Sequence, residues 1–333
     1  MSVRAHIWRV QIVAICVAIS CLYSACSLAS ESLASWNAGA AKSAIIAFVE
    51  RVTQQGGADY VAPVDRIAVF DNDGTLWCES PIYPQFAFAL DRVAVLAPQH
   101  PEWKDQEPFK SVLAKDLKGV AATGQKGALE IVAATHAGMT SDQFTQIVTD
   151  WMAKARHPRF HQPYDKLVYQ PMLELLAYLR DNGFKTYIVS GGGVEFMRPW
   201  AEQAYGIPPE QVIGSAIKLK YDVVDNVPLL VREPEIDFID DRAGKPVGIF
   251  KALGKRPVAA FGNSDGDYEM IEWVTAREGA SLGLLVHHTD ADREYAYDRK
   301  SSVGQLNKGL DDADKRGWVV VDMKRDWLQV FPQ

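Results

Sequence analysis

A short apolar run from Arg66 to Phe70 stops abruptly on Asp71-Asn72-Asp73-Gly74, and that junction limits the possible folds more than any other stretch of the chain. An apolar segment of this length predicts a buried strand, and the sudden arrival of polar and turn-forming residues predicts that the strand empties into a loop. The same junction recurs twice. Phe184 to Val189 leads into Ser190-Gly191-Gly192-Gly193, and Pro257 to Phe261 leads into Gly262-Asn263-Ser264-Asp265-Gly266-Asp267. A helix over Met172 to Arg180, closed by Asn182-Gly183, precedes the second strand. Helix, glycine, strand and glycine-rich loop in that order form a parallel crossover unit. The expected fold class is therefore α/β, with a parallel sheet whose strand ends converge on one crevice.

Around this core the pattern predicts a helix within 31–58 whose apolar side includes Ile45, Phe48 and Val52, ended by Gly56-Gly57. Residues 78–165 have helical character and no strand run. Their expected helices cover Phe86 to Leu96, Phe109 to Leu117, Leu129 to Ala134 and Ser141 to Ala155, and the segment reads as a helical cap over the crevice. A helix over Val194 to Tyr205 follows the second strand. Residues 211–241 hold strand-like pieces interrupted by Pro228 and Pro234, which suggests a hairpin excursion. Tyr268 to Arg277 and Val303 to Lys315 read as helices, Leu282 to Val286 as a strand, and Trp318 to Val321 as an edge strand. The expected domains are a core of 30–77 and 166–333 and a cap of 78–165.

The first 29 residues stand apart. Arg4 and Arg9 precede the uncharged run Val10 to Leu22, and Ser27-Leu28-Ala29 offers small residues for cleavage. This reads as an export signal or an N-terminal anchor, with a periplasmic or extracellular destination. Ala25-Cys26 also suits lipoprotein processing, although Tyr23 stands where such signals carry Leu. Cys16, Cys21 and Cys26 all lie in this leader, so the mature chain keeps Cys78 alone and can form no internal disulfide. Of the 333 residues, 48% are hydrophobic, enough for a substantial core. The formal charge of −7 and the lack of a dense Lys/Arg tract argue against nucleic acid as a partner. Membrane contact is expected only through an uncleaved or lipidated N-terminus.

Carboxylates gathered at strand ends repel one another, and a hard divalent ion is the economical way to hold them together. Magnesium takes oxygen ligands and commonly keeps several waters. The two-residue spacing of Asp71 and Asp73 lets both carboxylates face one reaction volume. One can attack phosphorus while the other serves the leaving oxygen as acid and then water as base. Asp-Asn-Asp-Gly alone is also a turn composition, so the motif gains its meaning from the strand before it and from the other two loops.

Asp71-Asn72-Asp73-Gly74-Thr75-Leu76, Ser190, Lys245 within Gly244-Lys245-Pro246, and Gly262-Asn263-Ser264-Asp265-Gly266-Asp267 together resemble the four motifs of the haloacid dehalogenase-like hydrolases. The layout over roughly 65–290 is similar to their phosphoserine phosphatase-related branch. The resemblance implies a Rossmann-like core with an inserted cap, Mg2+ as cofactor, and hydrolysis of a small-molecule phosphate ester. It further implies Asp71 as nucleophile, Asp73 as general acid/base, Ser190 as a phosphoryl-oxygen ligand and Lys245 as the neutralising cation. Magnesium would meet Asp71, the carbonyl of Asp73, Asn263 and Asp267, with Asp265 behind them. Asn263 departs from the commonest form, which has Asp. Its amide oxygen can bind magnesium but brings no full charge.

Other residues are weaker candidates. Lys251 and Lys255 compete with Lys245 for the basic role. His157 and His161 lie at the cap boundary, and His287-His288 lacks a nearby cysteine for a transition-metal set. Trp77 is expected to pack at the cap junction, Glu79 to read a cationic substrate group or to pack, and Cys78 to be buried. Alternatives to a phosphatase are a phosphotransferase and an exported ligand-binding protein retaining a weakened site. Carbon–halogen hydrolysis is disfavoured, because a halide leaving group needs no acid such as Asp73.

Overall fold

A computed structural model describes residues 33–333; the leader lies outside the described residues. Helix α1 (Ala40–Thr53) buries Ile45, Phe48 and Val52. It is shorter than the expected span, because residues 33–39 form turns in which Trp36 pairs with Trp327. Strand β1 (Ile67–Phe70) is buried at all four positions. Successive strand side chains point to opposite faces. Ala68 and Phe70 join one apolar cluster, and Ile67 and Val69 join the other. Both faces of the sheet are therefore covered, as a parallel sheet requires.

Between β1 and the next strand come α2 (Pro84–Leu96), α3 (Phe109–Leu113), α4 (Leu117–Ala122), α5 (Gly124–His136), α6 (Ser141–Lys154) and α7 (Gln170–Asp181). The expected helix over 109–117 is broken at Lys115, which has φ 56°. Asp116 then caps α4 by accepting from the Lys118 and Gly119 N–H groups. Helices α2 to α5 share a separate apolar cluster built from Val93, Trp103, Val112, Val120 and Ile131.

Strand β2 (Lys185–Gly193), α8 (Val194–Tyr205), β3 (Val212–Val224) and β4 (Val227–Phe238) follow. The first residues of β3 pair parallel with β2, and the rest form a long antiparallel hairpin with β4. So 211–241 is both a crossover product and a hairpin. Asp225 and Asn226 have φ 51° and 63°, the left-handed pair that a two-residue hairpin turn needs. Pro228 and Pro234 are tolerated because β4 is an edge strand.

The remaining elements are α9 (Gly244–Leu253), β5 (Ala259–Gly262), α10 (Tyr268–Thr275), β6 (Leu282–His287), α11 (Lys308–Arg316), β7 (Val319–Asp322) and α12 (Met323–Asp326). Helix α9 was not expected from the sequence, since Gly244 and Pro246 read as loop. Both sit in its first turn, where no intrahelical N–H bond is lost. The strand order is β4-β3-β2-β1-β5-β6-β7, parallel except for β3–β4. The chain leaves β1 outward through β2 and β3, then returns to the other flank of β1 at β5. That reversal is the switch point where an α/β sheet opens its crevice.

Candidate active site

The crevice is built from the ends of β1, β2 and β5. The Asp71 N–H donates to the Phe261 carbonyl at 2.9 Å, which carries the β1–β5 pairing up to the first residue of the loop. Gly74 then turns the chain at φ +76°; a Cβ there would collide with Asn263 Nδ2 and Glu79 Oε1, so glycine is required. The Trp77 indole N–H donates to Asp73 Oδ1 at 2.9 Å, and its ring stacks on Trp200 at 4.3 Å. Trp77 thus fixes the second carboxylate as well as packing at the junction.

Lys245 ties the loops together. Its buried ammonium donates to Asp71 Oδ1 at 2.6 Å, Asp267 Oδ1 at 2.6 Å and the Val189 carbonyl at 2.9 Å. Burial opposes its charge, but Asp267 and Asp71 override that, and its pKa is raised. Burial also raises Asp71 well above the usual carboxylate range, with Asp267 adding to the rise and Lys245 opposing it. Asp73 is raised by burial and held down in part by Trp77, Asn72, Lys245 and Ser190. Of the competing lysines, Lys255 is exposed and pairs with Asp65, and Lys251 is exposed over the Phe238 ring.

The buried Ser190 hydroxyl accepts from the Gly192 N–H at 3.0 Å. The Gly193 N–H donates to Gln85 Oε1 at 2.6 Å, joining the glycine loop to α2. Asp71, Asp73, Ser190 and Lys245, scattered over 174 positions of sequence, thus line one cavity of about 430 Å³.

The fourth loop carries Asn263, Asp265 and Asp267. Asp267 was expected among the metal ligands. Its Oδ1 faces Lys245, and its Oδ2 accepts from the Asn263 N–H, the Ser264 N–H and the Ser264 hydroxyl. With both oxygens engaged, Asp267 holds the lysine and the loop. Asp265 turns away from the crevice and accepts from the Asn307, Lys308 and Gly309 N–H groups at the start of α11, a helix-capping role. Asn263 is buried, with its Oδ1 accepting from Thr75 Oγ1 at 3.1 Å and its Nδ2 donating to Glu79 Oε1 at 2.7 Å.

Glu79 also accepts from the Tyr297 hydroxyl at 2.7 Å, and burial pushes its pKa well up, with Asp73 and Asp71 adding to the rise. Four carboxylates, Asp71, Asp73, Asp267 and Glu79, therefore accompany one buried cation. That excess of carboxyl groups over cations fits a hard divalent cation. Among the described residues no three His, Cys, Asp or Glu side chains form a ready metal set. Carbonyl, amide and water oxygens would have to complete the shell, as magnesium commonly allows.

The histidines take structural places. His157 faces the Ser80 carbonyl at 2.7 Å, His161 is exposed and His287 faces Asp298. His288 bridges the Gly74 carbonyl, 2.8 Å away, and Glu294, 3.1 Å away. Cys78 is buried and donates to Glu294 Oε1 at 3.0 Å. Burial opposes the charge on Glu294, but His288 and the surrounding donors leave its pKa lowered. This group braces the underside of the loop that follows β1. Gly74 and Cys78 lie more than 200 residues from His288 and Glu294, and no spacing in the sequence announces the pairing.

The arrangement of a strand-end carboxylate pair, a serine at the next strand end and a lysine clamped to the fourth loop agrees with the sequence match. The sequence model of the haloacid dehalogenase-like hydrolase family fits residues 68–272. The chain belongs to that family. Among solved structures, a conserved functionally unknown protein from Anaerococcus prevotii DSM 20548 is similar at 18% identity and a TM-score of 0.45, covering 75% of this chain and 86% of that one. A protein of unknown function from Bordetella pertussis Tohama I is similar at 16% identity and a TM-score of 0.47, covering 78% and 98%. A phosphoserine phosphohydrolase-like protein from Francisella tularensis subsp. tularensis SCHU S4 is similar at 18% identity and a TM-score of 0.37, covering 66% and 87%. No curated protein matches the chain.

Proposed function

We propose that the protein is a magnesium-dependent phosphate monoesterase working through an aspartyl-phosphate on Asp71. The observation that carries this reading is the clamp of Lys245 between Asp71 and Asp267, beside Asp73 and the glycine loop, on the floor of one cavity. Lys245 opposes the burial that raises the pKa of Asp71, favouring its ionised form, and fixes one of its oxygens. The other oxygen attacks phosphorus, the bond from phosphorus to the ester oxygen breaks, and Asp73 gives the departing alcohol its proton. Asp73 then takes a proton from water as that water attacks phosphorus, which releases phosphate and restores Asp71. The Ser190 hydroxyl holds a phosphoryl oxygen. Magnesium, when bound, neutralises phosphoryl charge and helps orient the group.

Asp71, the Asp73 carbonyl and Asn263 would hold that ion, and Glu79 beside Asn263 supplies the negative charge that the amide lacks. The missing charge was the feature favouring a ligand-binding protein with a weakened site, and Glu79 offsets it. The segment 78–165 acts as a cap excluding water from the intermediate. The pattern of residues 1–29 supports export, periplasmic or extracellular.

The test is phosphate release from an ester panel with and without magnesium, beside Asp71→Asn. Turnover should need magnesium and fall at least about a thousandfold in the variant. Equal release from the variant would remove Asp71 as nucleophile.

A further inference from the structure

Away from the strand ends, the cavity of about 430 Å³ is lined mainly by apolar side chains from the helices and the β3–β4 hairpin, among them Phe86, Leu129, Phe144, Phe196, Ile217 and Ile236. Charged groups on this side already have partners. Arg232 pairs with Glu195, donates from Nε to the His136 carbonyl, and lies 3.9 Å over the Phe144 ring. The other Glu195 oxygen accepts from the Ser141 hydroxyl at 2.9 Å. His136 sits 3.2 Å from Gln85 Nε2 and 2.7 Å from Thr135 Oγ1, and burial with the adjacent Arg232 pushes its pKa down to about 3. It faces the cavity as a neutral ring.

At the strand-end side Glu79 is engaged by Tyr297 and Asn263. Asp241 is exposed, lies against Gly191 and Gly266, and stands 3.9 Å from Arg242. An ammonium or carboxylate carried on the substrate body would meet mainly apolar surface and the mutually paired Arg232 and Glu195, since Asp241 is exposed to solvent. Leaving such a group buried without a partner is unfavourable, whereas an apolar body gains by leaving water. A volume of this size also exceeds the need of a bare phosphate and fits a ring or short chain attached to it.

We infer that the cavity selects phosphate monoesters of uncharged, largely apolar alcohols or phenols over phosphoamino acids. This rests on the monoesterase reading, and the experiment separates the two. The full chain with magnesium is assayed on 1-naphthyl phosphate and O-phosphoserine, with inorganic phosphate as inhibitor, beside Ile217→Asp. The naphthyl ester should lead in kcat/KM by at least about tenfold, and the variant should cut that ratio by about tenfold. Its inhibition by inorganic phosphate should persist, which also reports that it is folded. If Ile217→Asp loses phosphate inhibition, Ile236→Asp, at a position 39% exposed, replaces it.

Phosphoserine turned over as well as or better than the naphthyl ester would overturn the class while leaving the monoesterase intact. So would an unmoved ratio in a variant that still binds phosphate. Phosphate inhibition without turnover of any ester would overturn both the class and the monoesterase reading, leaving an anion-binding protein. Neither turnover nor phosphate inhibition would likewise overturn both.

Discussion

Lys245 and Arg232 are both buried cations lining the same cavity, yet Lys245 holds two carboxylates and Arg232 holds one. Asp73 adds a further carboxyl group beside Lys245, and Glu79 stands beside Asn263 with its pKa raised by burial. The strand-end region therefore holds more carboxyl groups than cations, which suits the proposed metal and phosphoryl site. The region around Arg232 is balanced by Glu195 and surrounded by aromatic rings. Its role is to hold an apolar wall in shape. On the proposed function, the excess of carboxyl groups and the balanced pair separate the reacting end of the cavity from the end that would receive the substrate body.

Removing the cation from the unbalanced end should have the largest effect on stability. Lys245→Met leaves Asp71 and Asp267 facing each other in a buried space and should cost about 3–5 kcal/mol at neutral pH, with turnover lost as well. Because burial raises the pKa of Asp71, that carboxylate can take up a proton, and the loss should shrink as the pH falls. Urea unfolding at pH 7 and pH 5 reads both effects. A variant as stable as the parent at both pH values would show that the clamp is not what holds these carboxylates together.

Asp240 sharpens the same contrast, because it is a buried acid that neither region satisfies. Neither of its oxygens has a hydrogen-bond partner among the described residues, and burial pushes its pKa up to about 7 from the usual 3.8. Below 3.8 both the folded and unfolded forms carry the proton, so the group contributes no difference. Between there and about 7 the unfolded chain releases its proton while the folded chain retains it, so stability falls as pH rises. Asp240→Asn should therefore stabilise the protein at pH 8 by at most about 4 kcal/mol, and the gain should vanish near pH 4. Equal gains at both pH values would mean that the carboxylate is not strained by burial.

The balanced end makes the opposite forecast. Arg232→Met alone strands Glu195, which is 18% exposed, and should cost about 2 kcal/mol. Adding Glu195→Gln should recover most of that, because replacing both partners of a buried pair is often close to neutral. Thermal melts of the two variants decide it; a double variant less stable than the single would show that the pair is not a closed unit.

The unbalanced end was the legible one. Asp71, Ser190 and Asn263 stand where an apolar strand breaks into polarity, and such a break is visible in a single sequence. Lys245 was legible from the order of motifs, although its helix was not, because Gly244 and Pro246 mimic a loop. Arg232 was hidden for a different reason. It lies in a strand whose pattern is broken by Pro228 and Pro234, and its partner Glu195 is on another element. The apolar wall, the His288–Glu294 brace and the Tyr297 contact with Glu79 come from long-range packing, which leaves no local periodicity. Asp267 and Asp265 were recognised as important acids, but only geometry shows which way their oxygens turn.

The smallest expected effect concerns how negative charge is divided between Asn263 and Glu79. Their 2.7 Å contact works because one side is an amide donor and the other a carboxylate. Asn263→Asp alone would set two carboxylates against each other, lowering stability without magnesium and tightening magnesium binding by about tenfold. Glu79→Gln alone should weaken magnesium by a similar factor, while Asn263→Asp with Glu79→Gln moves the charge across the contact and should return both properties close to the parent. Calorimetric magnesium titration beside melting curves with and without the ion tests this independently of turnover. If Glu79→Gln leaves magnesium affinity unchanged, Glu79 is not the source of the missing charge, and the departure at Asn263 remains a weakness of the site.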